Sequence, residues 1–258
     1  MNPNHSDTDI LFEIKDRVAV ITLHRPEKLN AFRSRTLREL TQAVRRAVRD
    51  GSVGIVVLTG SGSRAFCVGG DIEEMKALTP RTGKSFVAEL YRTAEALLSC
   101  PKPTIAKVNG YCLGGGNELQ LFCDLTVASD RSVFGQVGPK VGSSPLWGGS
   151  QILPALTGLK KAKELMFLCP QITAREAASL GLINMCVPEA ELENKVREIG
   201  QNLLRKSPQS LRVLKKSLHR GLLGRVREDL KLLQSLYGSR ELREGMQAFL
   251  DKREPRFR

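Results

Sequence analysis

The sequence has few aromatic side chains, few histidines and no long apolar segment. Of its 258 residues, 5% are aromatic and only three are histidine. No apolar run reaches the roughly 20 residues that a membrane-spanning helix needs. The N-terminal segment also lacks the basic-then-apolar order of a secretory signal. We therefore expect a cytoplasmic protein with no membrane partner.

The six cysteines include no CxxC pair. Most of them lie in apolar stretches, which indicates buried and reduced thiols rather than a disulfide framework or a zinc site. The histidines, His5, His24 and His219, match none of the candidate sites described below, which argues against a Ser-His-Asp hydrolase. No cluster of metal ligands is visible in the sequence, so we expect no bound metal.

Acidic side chains are in the minority, with 27 Asp and Glu against 40 Lys and Arg and a formal net charge of +13. This balance suits a polyanionic partner. However, aromatic residues are scarce and no nucleic-acid-binding motif occurs, so nucleic acid is not the partner we favour. A small ligand with several negative charges, or a solvated basic surface, explains the charge equally well.

The apolar residues, 41% of the chain, follow the periodicities of strands and helices. The segment VAVITL alternates as a strand and ends before Pro26, and a helix with Ser34 as its N-cap is predicted to follow. Strand and helix segments then alternate, which predicts an α/β fold with a mostly parallel sheet. From GLKKAKELMFL onward the pattern is mainly helical, and Thr173 with Glu176 predicts a capping box.

Two glycine-rich turns each follow a buried strand. CLGGGNEL comes after the strand TIAKV and opens a helix, and AFCVGGDI comes after the strand GIVVLTG. Glycines at such junctions expose backbone N–H groups, and at a helix start these lie at the positive end of the dipole. Two donors from separate loops can stabilise an oxyanion as it forms. An ordinary pair of glycine turns explains the pattern about equally well.

A single carboxylate, Glu118, follows the glycine triplet on a helix that is otherwise apolar, beside Leu119 and Leu121. A charge in such surroundings is costly to bury without a task. A carboxylate just beyond an oxyanion turn can hold and deprotonate a water molecule. The alternative is a helix-start acid that interacts with the dipole, but the apolar neighbours favour a functional role.

Several motifs together resemble one enzyme family: HRPEKLNAF, AFCVGGDIEEM, NGYCLGGGNELQLFCDLTVAS, FGQVGPKVGS, AREAASLGLINMCVP and EGMQAFLDKREPRF. They occur in the order seen in the crotonase (enoyl-CoA hydratase/isomerase) superfamily, over nearly the whole chain. The resemblance implies a ββα spiral core in residues 1–200 and a C-terminal helical region in 201–258 that builds trimers, usually paired into hexamers. It also implies an acyl-CoA thioester substrate, an enolate held by two backbone N–H groups, and no separate cofactor.

The resemblance assigns roles to individual residues. It places Gly70 and Gly115 at the two oxyanion donors, and Glu118 at the first of two hydratase glutamates. The residues that fall where relatives hold the adenine, pantetheine and phosphates of CoA are Ala65, Phe66, Val68, Asp71, Ile72, Lys28 and Lys252. A solvated lysine explains Lys28 or Lys252 almost as well. Hydratases often carry lysine where this chain has Glu73.

The chain departs from the hydratase pattern at the second glutamate. Gly138 stands in its place, within FGQVGPKVGS. This loop resembles dihydroxynaphthoyl-CoA synthases and alicyclic oxoacyl-CoA ring hydrolases, which carry a tyrosine near the C-terminus that Tyr237 matches. A buried tyrosine at a trimer interface explains Tyr237 about equally well. The naphthoate synthases usually have an aspartate that residues 144–146 lack, so the ring hydrolases are the better match. Trp147 beside this loop is a candidate wall of the acyl pocket, and an ordinary packing role explains it equally well.

The reading we favour is an enoyl-CoA hydratase-like enzyme in which Glu118 delivers water to an acyl-CoA thioester, including one with a cyclic acyl group. The alternative enzyme hydrolyses a C–C bond in a cyclic β-oxoacyl-CoA with the help of Tyr237. A different class also stays open, because some members of the superfamily bind RNA and others are non-catalytic. Glu118 beside an intact glycine triplet disfavours a purely binding role.

Overall fold

The computed structural model describes residues 8–257. His5, the rest of the N-terminal segment and Arg258 lie outside this range. The strands are β1 (Ile10–Lys15), β2 (Val18–Leu23), β3 (Ile55–Gly60), β4 (Ala65–Cys67), β5 (Thr104–Val108), β6 (Tyr111–Leu113), β7 (Leu125–Ser129), β8 (Val133–Gly135), β9 (Gln171–Thr173) and β10 (Met185–Val187). The helices are α1 (Ser34–Arg49), α2 (Ile72–Ala77), α3 (Pro80–Leu98), α4 (Gly115–Leu121), α5 (Gly149–Thr157), α6 (Leu159–Phe167), α7 (Ala174–Ser179), α8 (Leu192–Leu204), α9 (Pro208–Leu218), α10 (Leu222–Leu236) and α11 (Arg240–Leu250).

The larger sheet has six strands in the order β1-β2-β3-β5-β7-β10. β1 pairs with β2 antiparallel, and the remaining neighbours are parallel. Along β2, Ala19, Ile21 and Leu23 are buried while the residues between them are half-buried, as the alternation in VAVITL predicts. The α/β class with a mostly parallel sheet is confirmed.

The smaller sheet positions the candidate site. Its order is β4-β6-β8-β9, with β4, β6 and β8 parallel and β9 antiparallel. The carboxyl ends of parallel strands meet at one edge, so the segments that follow β4, β6 and β8 lie side by side. These segments are the two glycine-rich turns and the FGQVGPK loop. Three motifs far apart in the sequence therefore converge on one edge of this sheet.

Two predicted helix starts have different outcomes. Thr173 and Glu176 form the predicted capping box, with each side chain accepting a hydrogen bond from the other's backbone N–H. The prediction for Ser34 is wrong by one residue, because Ser34 is the first residue of α1 and Arg33 is the N-cap. Arg33 has extended backbone, and its N–H donates to the hydroxyl of Thr36. The N–H of Ser34 at the helix start donates to the Glu74 carboxylate at 2.8 Å, so a side chain from α2 satisfies one donor of the first turn.

The C-terminal helices pack against the elements that border the small-sheet loops. α10 packs on α3, and α11 packs on α2 and on the short 3-10 turn Gly138–Val141. The last contact is tight, because a Cβ on Gly245 would lie 2.5 Å from the carbonyl carbon of Val141. The division of the chain at residue 200 stays a prediction.

The cysteines and the helices show two further properties of the described residues. All six cysteines are free thiols and five of them are buried, as the sequence indicated. Burial raises the pKa of the Cys67 thiol to about 12, which keeps it protonated and unreactive. No helix among residues 8–257 has both the length and the apolar character needed to cross a membrane.

Candidate active site

A cavity of about 660 Å³ lies at the edge of the small sheet where the three motifs meet. Its volume is in the range of ordinary small-molecule sites. α2, α3, α10 and α11 contribute residues to its walls. Nine of the residues singled out in the sequence line it: Lys28, Val68, Gly70, Asp71, Ile72, Gly115, Glu118, Trp147 and Tyr237.

The Gly70 N–H group is held towards the cavity by a short parallel bridge to Phe32. In this bridge the Phe32 N–H donates to the Gly69 carbonyl at 2.8 Å, and the Asp71 N–H donates to the Phe32 carbonyl at 2.8 Å. The Gly69 carbonyl and the Gly70 N–H belong to one trans peptide bond and point in opposite directions. The N–H of Gly70 therefore points away from Phe32, and it has no hydrogen-bond partner in residues 8–257.

Gly115 is the first residue of α4, where backbone donors have no partner within the helix, and its N–H has no hydrogen-bond partner in residues 8–257. Gly114 before it adopts φ 51° and ψ −124°, a conformation open to glycine and costly for other residues. The Gly114 N–H is used in a bond to the Gly135 carbonyl at 2.8 Å. The turn thus fixes the chain before Gly115 and leaves the Gly115 N–H at the positive end of the helix dipole.

The two glycine turns touch each other. Gly69 has φ 101°, and a Cβ built on it would lie 3.1 Å from the Gly115 nitrogen. A Cβ on Gly115 would in turn lie 2.7 Å from the ring of Phe32. Glycine at both positions allows the approach. Two free backbone donors from separate loops therefore border one cavity, which is the arrangement that stabilises an oxyanion.

Glu118 lies one turn into α4, and its residue is 5% exposed. Its Oε1 atom accepts hydrogen bonds from the N–H groups of Trp147 at 2.8 Å and Gly149 at 3.0 Å. A Cβ on Gly149 would approach the same oxygen to 3.0 Å, so glycine is needed there. Oε2 has no partner among the described residues. One carboxyl oxygen is thus fixed by the protein and the other is left for a ligand.

Burial raises the pKa of Glu118 from an ordinary 4.5 to about 8, and the two backbone N–H donors only partly oppose this rise. Desolvation disfavours the charged form of a carboxyl more than two hydrogen bonds favour it. Glu118 therefore holds a proton near neutral pH and releases it under mildly basic conditions. A carboxyl with a pKa near the working pH is suited to both taking and giving a proton.

A row of aromatic rings forms the apolar wall of the cavity. The ring of Phe32 meets the indole of Trp147 edge-on with centroids 5.3 Å apart, and Phe86 lies between Phe32 and Tyr237. The indole N–H of Trp147 donates to the Leu90 carbonyl at 2.8 Å. Trp147 thus combines three functions: it packs, it borders the cavity, and its backbone N–H holds Glu118.

Tyr237 follows α10 and faces the cavity with a buried side chain that is 2% exposed. No described residue is a hydrogen-bond partner of its hydroxyl. Burial raises the pKa of this phenol strongly, and the charge of Glu118 adds to the effect. Tyr237 is therefore a neutral donor on the same cavity as Glu118.

Some charged residues of the cavity wall have structural roles of their own. Asp71 caps α2 through the N–H groups of Glu73 and Glu74, and it pairs with Arg25 at 2.9 Å. Lys28 pairs with Glu73 at 3.3 Å, and both side chains are exposed. Glu73, where hydratases often carry lysine, thus gives Lys28 an ion-pair partner within the protein.

Three predicted CoA contacts do not line the cavity. Ala65 and Phe66 are buried in β4, and the Ala65 carbonyl accepts a hydrogen bond from Asn30 at 2.8 Å. Lys252 is exposed, with φ 54°, just beyond α11. A role in CoA binding stays a prediction for these three residues. Of the histidines in the described range, His24 bonds Ser61 and His219 bonds the Leu98 carbonyl, and neither lines the cavity.

The sequence did not reveal several residues of the site. The walls also include Phe32, Phe86, Leu90 and Leu233, whose hydrophobic spacing marks them only as core. Gln136, directly after β8, is buried near Glu118 and has an unpaired amide. No signal in a single sequence separates such residues from ordinary packing. Gly138, which stands where hydratases carry their second glutamate, lines the cavity but offers no side chain.

Comparisons with known proteins agree with this geometry. Residues 13–258 match the sequence model of the enoyl-CoA hydratase/isomerase family. A solved enoyl-CoA hydratase from Bacillus anthracis is 31% identical, with 97% of this chain and 99% of that chain covered and a TM-score of 0.79. An enoyl-CoA hydratase/isomerase from Xanthobacter autotrophicus is 30% identical, with 95% and 97% covered and a TM-score of 0.85.

A third solved structure shares the fold more closely. It is an enoyl-CoA hydratase from Mycobacterium avium subsp. paratuberculosis, 27% identical, with 97% of this chain and 99% of that chain covered and a TM-score of 0.87. The fold expected from the sequence motifs is thereby confirmed. This chain belongs to the enoyl-CoA hydratase/isomerase family, within the crotonase superfamily.

Proposed function

We propose that this enzyme adds water to the α,β double bond of an enoyl-CoA thioester. The observation that carries the proposal is the position of Glu118. One of its oxygens is pinned by two backbone N–H groups, the other is unpartnered, and the carboxyl shares a cavity with the free N–H groups of Gly70 and Gly115. Donors for a thioester oxygen and a base for water therefore border the same space.

The steps follow from these groups. The N–H groups of Gly70 and Gly115 donate to the thioester oxygen and stabilise the negative charge that forms on it. Glu118 Oε2 takes a proton from water while the water oxygen bonds to the β-carbon, which gives an enolate. The same carboxyl then returns its proton to the α-carbon. Because Gly138 replaces the second acid, one carboxyl with a pKa of about 8 serves in both proton transfers.

Two CoA esters test this proposal: a linear enoyl-CoA and 6-oxocyclohexenoyl-CoA, with products identified by mass. We expect addition of one water to the linear ester, or to the cyclic ester with its ring intact. A ring-opened dicarboxylic thioester as the sole product would replace hydration by C–C hydrolysis. No turnover of either ester, with the protein folded, would contradict both reactions.

Hydrolytic C–C cleavage of a cyclic β-oxoacyl-CoA is the second candidate, and the phenol of Tyr237 favours it. Its hydroxyl is a neutral donor that no described residue uses, on the same cavity as Glu118. Such a donor suits the ring oxygen of an oxo-substituted acyl group, where negative charge develops when water attacks the ring carbonyl. Linear enoyl groups offer no such oxygen.

Replacement of Tyr237 by phenylalanine separates the two reactions. We expect Tyr237→Phe to slow ring opening by about tenfold to a hundredfold, because a hydrogen bond to a developing charge is lost. Hydration of the linear ester should stay unchanged, since its transition state has no oxygen near the phenol. The measurement is kcat on both esters, and an equal loss on both would disprove this role for Tyr237.

We also propose that the enzyme is a cytoplasmic homotrimer or a hexamer built from two trimers. Large apolar side chains on α9 support self-association, since Val213, Leu214 and Leu218 are each more than half exposed. Replacement of Leu218 and Leu214 by glutamate should reduce the mass measured by light scattering after gel filtration. A monomeric mass for the unaltered protein would rule out both oligomers.

A further inference from the structure

Gln136 has an unusual environment for an amide side chain. It follows β8 directly and is 1% exposed, and neither its Oε1 nor its Nε2 atom has a hydrogen-bond partner within the described residues. Burial of an unpaired amide is unfavourable, because the group loses its bonds to water and gains none in return. Such groups are rare in folded proteins and call for an explanation.

The position of the amide relates it to Glu118. A Cβ built on Gly149 would lie 3.0 Å from Glu118 Oε1 and 3.4 Å from Gln136 Nε2. The amide nitrogen and the carboxyl oxygen thus lie against the same glycine without bonding to each other. Gln136 does not line the cavity, whereas Glu118 does. The amide therefore lies near the carboxyl in the protein interior and leaves the cavity free for substrate.

We propose that Gln136 is a positioning residue whose amide nitrogen donates a hydrogen bond to Glu118 whenever that carboxyl is ionised. This inference rests on the proposed use of Glu118 as the only acid of the site. The N–H groups of Trp147 and Gly149 are fixed in the backbone and bond Oε1 in either protonation state. The Gln136 amide is held by no other bond, so a side-chain rotation can bring it onto the carboxylate and release it again.

The other groups around Glu118 do not supply this donor. The charge of Glu118 raises the pKa of the Tyr237 phenol, and the charge of Glu74 raises it further. No charged residue occurs in the loop 145–149 or elsewhere in α4. The remaining charged residues of the cavity wall are Glu27, Lys28, Arg64, Asp71, Glu73 and Lys140. None of these six contributes to the pKa shift of Glu118.

The test measures the ionisation of Glu118 directly. Infrared difference spectra recorded against pH follow its carboxyl band, which Glu118→Gln assigns by removing it. In Gln136→Leu we expect the pKa of Glu118 to rise by about one pH unit, because the carboxylate loses a donor. At neutral pH, kcat for hydration of the enoyl-CoA ester should fall about tenfold, because a pKa one unit higher leaves about a tenth as much of Glu118 ionised. The melting temperature should not fall, because leucine fills a similar volume without an unpaired amide.

Gln151→Leu is the matched control. Gln151 also has an unpartnered Oε1 atom, but its amide nitrogen bonds Asp229, so we expect no change in the Glu118 titration. An unchanged titration and unchanged kcat in Gln136→Leu would overturn the proposal, as would equal shifts in both variants. If Gln136→Leu does not fold, Gln136→Met gives the same test. If the wild type turns over neither ester, the proposed hydration fails while the infrared titration still decides the role of Gln136.

Discussion

Replacement of Glu118 by glutamine is expected to reduce kcat for hydration by about a hundredfold to ten-thousandfold, the range for loss of a general acid–base group. Glutamine can still accept both backbone hydrogen bonds from Trp147 and Gly149 through its Oε1 atom. The site should therefore keep its shape and its affinity for the CoA ester. What is lost is the ability to take a proton from water and return it to the α-carbon.

The matched control is Glu191→Gln, a change from carboxyl to amide at an exposed position away from the cavity. It should keep wild-type turnover. Steady-state kinetics on the linear enoyl-CoA, with the Kd of a saturated acyl-CoA measured by calorimetry, separate loss of chemistry from loss of binding. Full activity in Glu118→Gln would remove Glu118 from the mechanism. Weak binding with normal kcat would make it a substrate-binding residue instead.

The raised pKa of Glu118 gives the same substitution a signature in stability. The pKa is about 8 in the folded protein against an ordinary 4.5. Between these values the folded state holds a proton that the unfolded chain releases, so the wild-type free energy of unfolding decreases as pH rises through this window. Glu118→Gln has no such group, so its melting temperature should rise relative to that of the wild type as the pH increases from 4.5 to 8. Wild-type kcat/KM for hydration should rise with pH up to about 8, because the reaction starts with the ionised carboxyl.

The second large effect is expected from replacing Gly115 by proline, which removes the backbone N–H group. Replacement by alanine keeps this group. Both side chains add a Cβ that would lie 2.7 Å from the Phe32 ring, and proline also places a ring carbon on the nitrogen in place of the hydrogen. Proline is tolerated at the first position of a helix, which Gly115 occupies. Gly115→Pro should therefore be slower than Gly115→Ala by about a hundredfold to a thousandfold in kcat, the loss seen when one oxyanion donor is removed.

The alanine variant controls for the Cβ that both changes add beside Phe32. Circular dichroism and melting temperature show whether both are folded to the same extent. Equal kcat values for the alanine and proline variants would show that the Gly115 N–H does not contact the reacting oxygen. The free N–H of Gly70 would then have to act with a different partner.

Local signals in the sequence predicted the two glycine-rich turns that border the cavity. The triplet before Glu118 follows a strand and opens α4, and glycine is required there because of φ angles and close contacts that other residues cannot accept. Gly70 could be paired with Gly115 only through the family motif. The contact between their loops depends on strand order, which the local pattern does not contain.

The rest of the site depends on tertiary packing. Leu233 on α10 and Phe249 on α11 reach the cavity from the far end of the chain, yet their helical spacing looks like that of any amphipathic helix. The bonds that hold Glu118 come from backbone N–H groups of Trp147 and Gly149, and a pattern of side chains does not show which backbone donors meet a given carboxyl. The start of α1 was missed by one residue because the N–H of Ser34 bonds the distant Glu74 carboxylate, a tertiary contact that the local sequence does not show.

The central claim is that Glu118 delivers water to an enoyl-CoA beside the Gly70 and Gly115 donors. The most direct test is mass spectrometry of the product formed from a linear enoyl-CoA in ¹⁸O-labelled water, with the wild type and Glu118→Gln side by side. The account predicts one labelled oxygen in an intact hydroxyacyl-CoA from the wild type and almost none from the variant. Label in a free carboxylic acid with release of CoA, or equal labelling by both proteins, would contradict it.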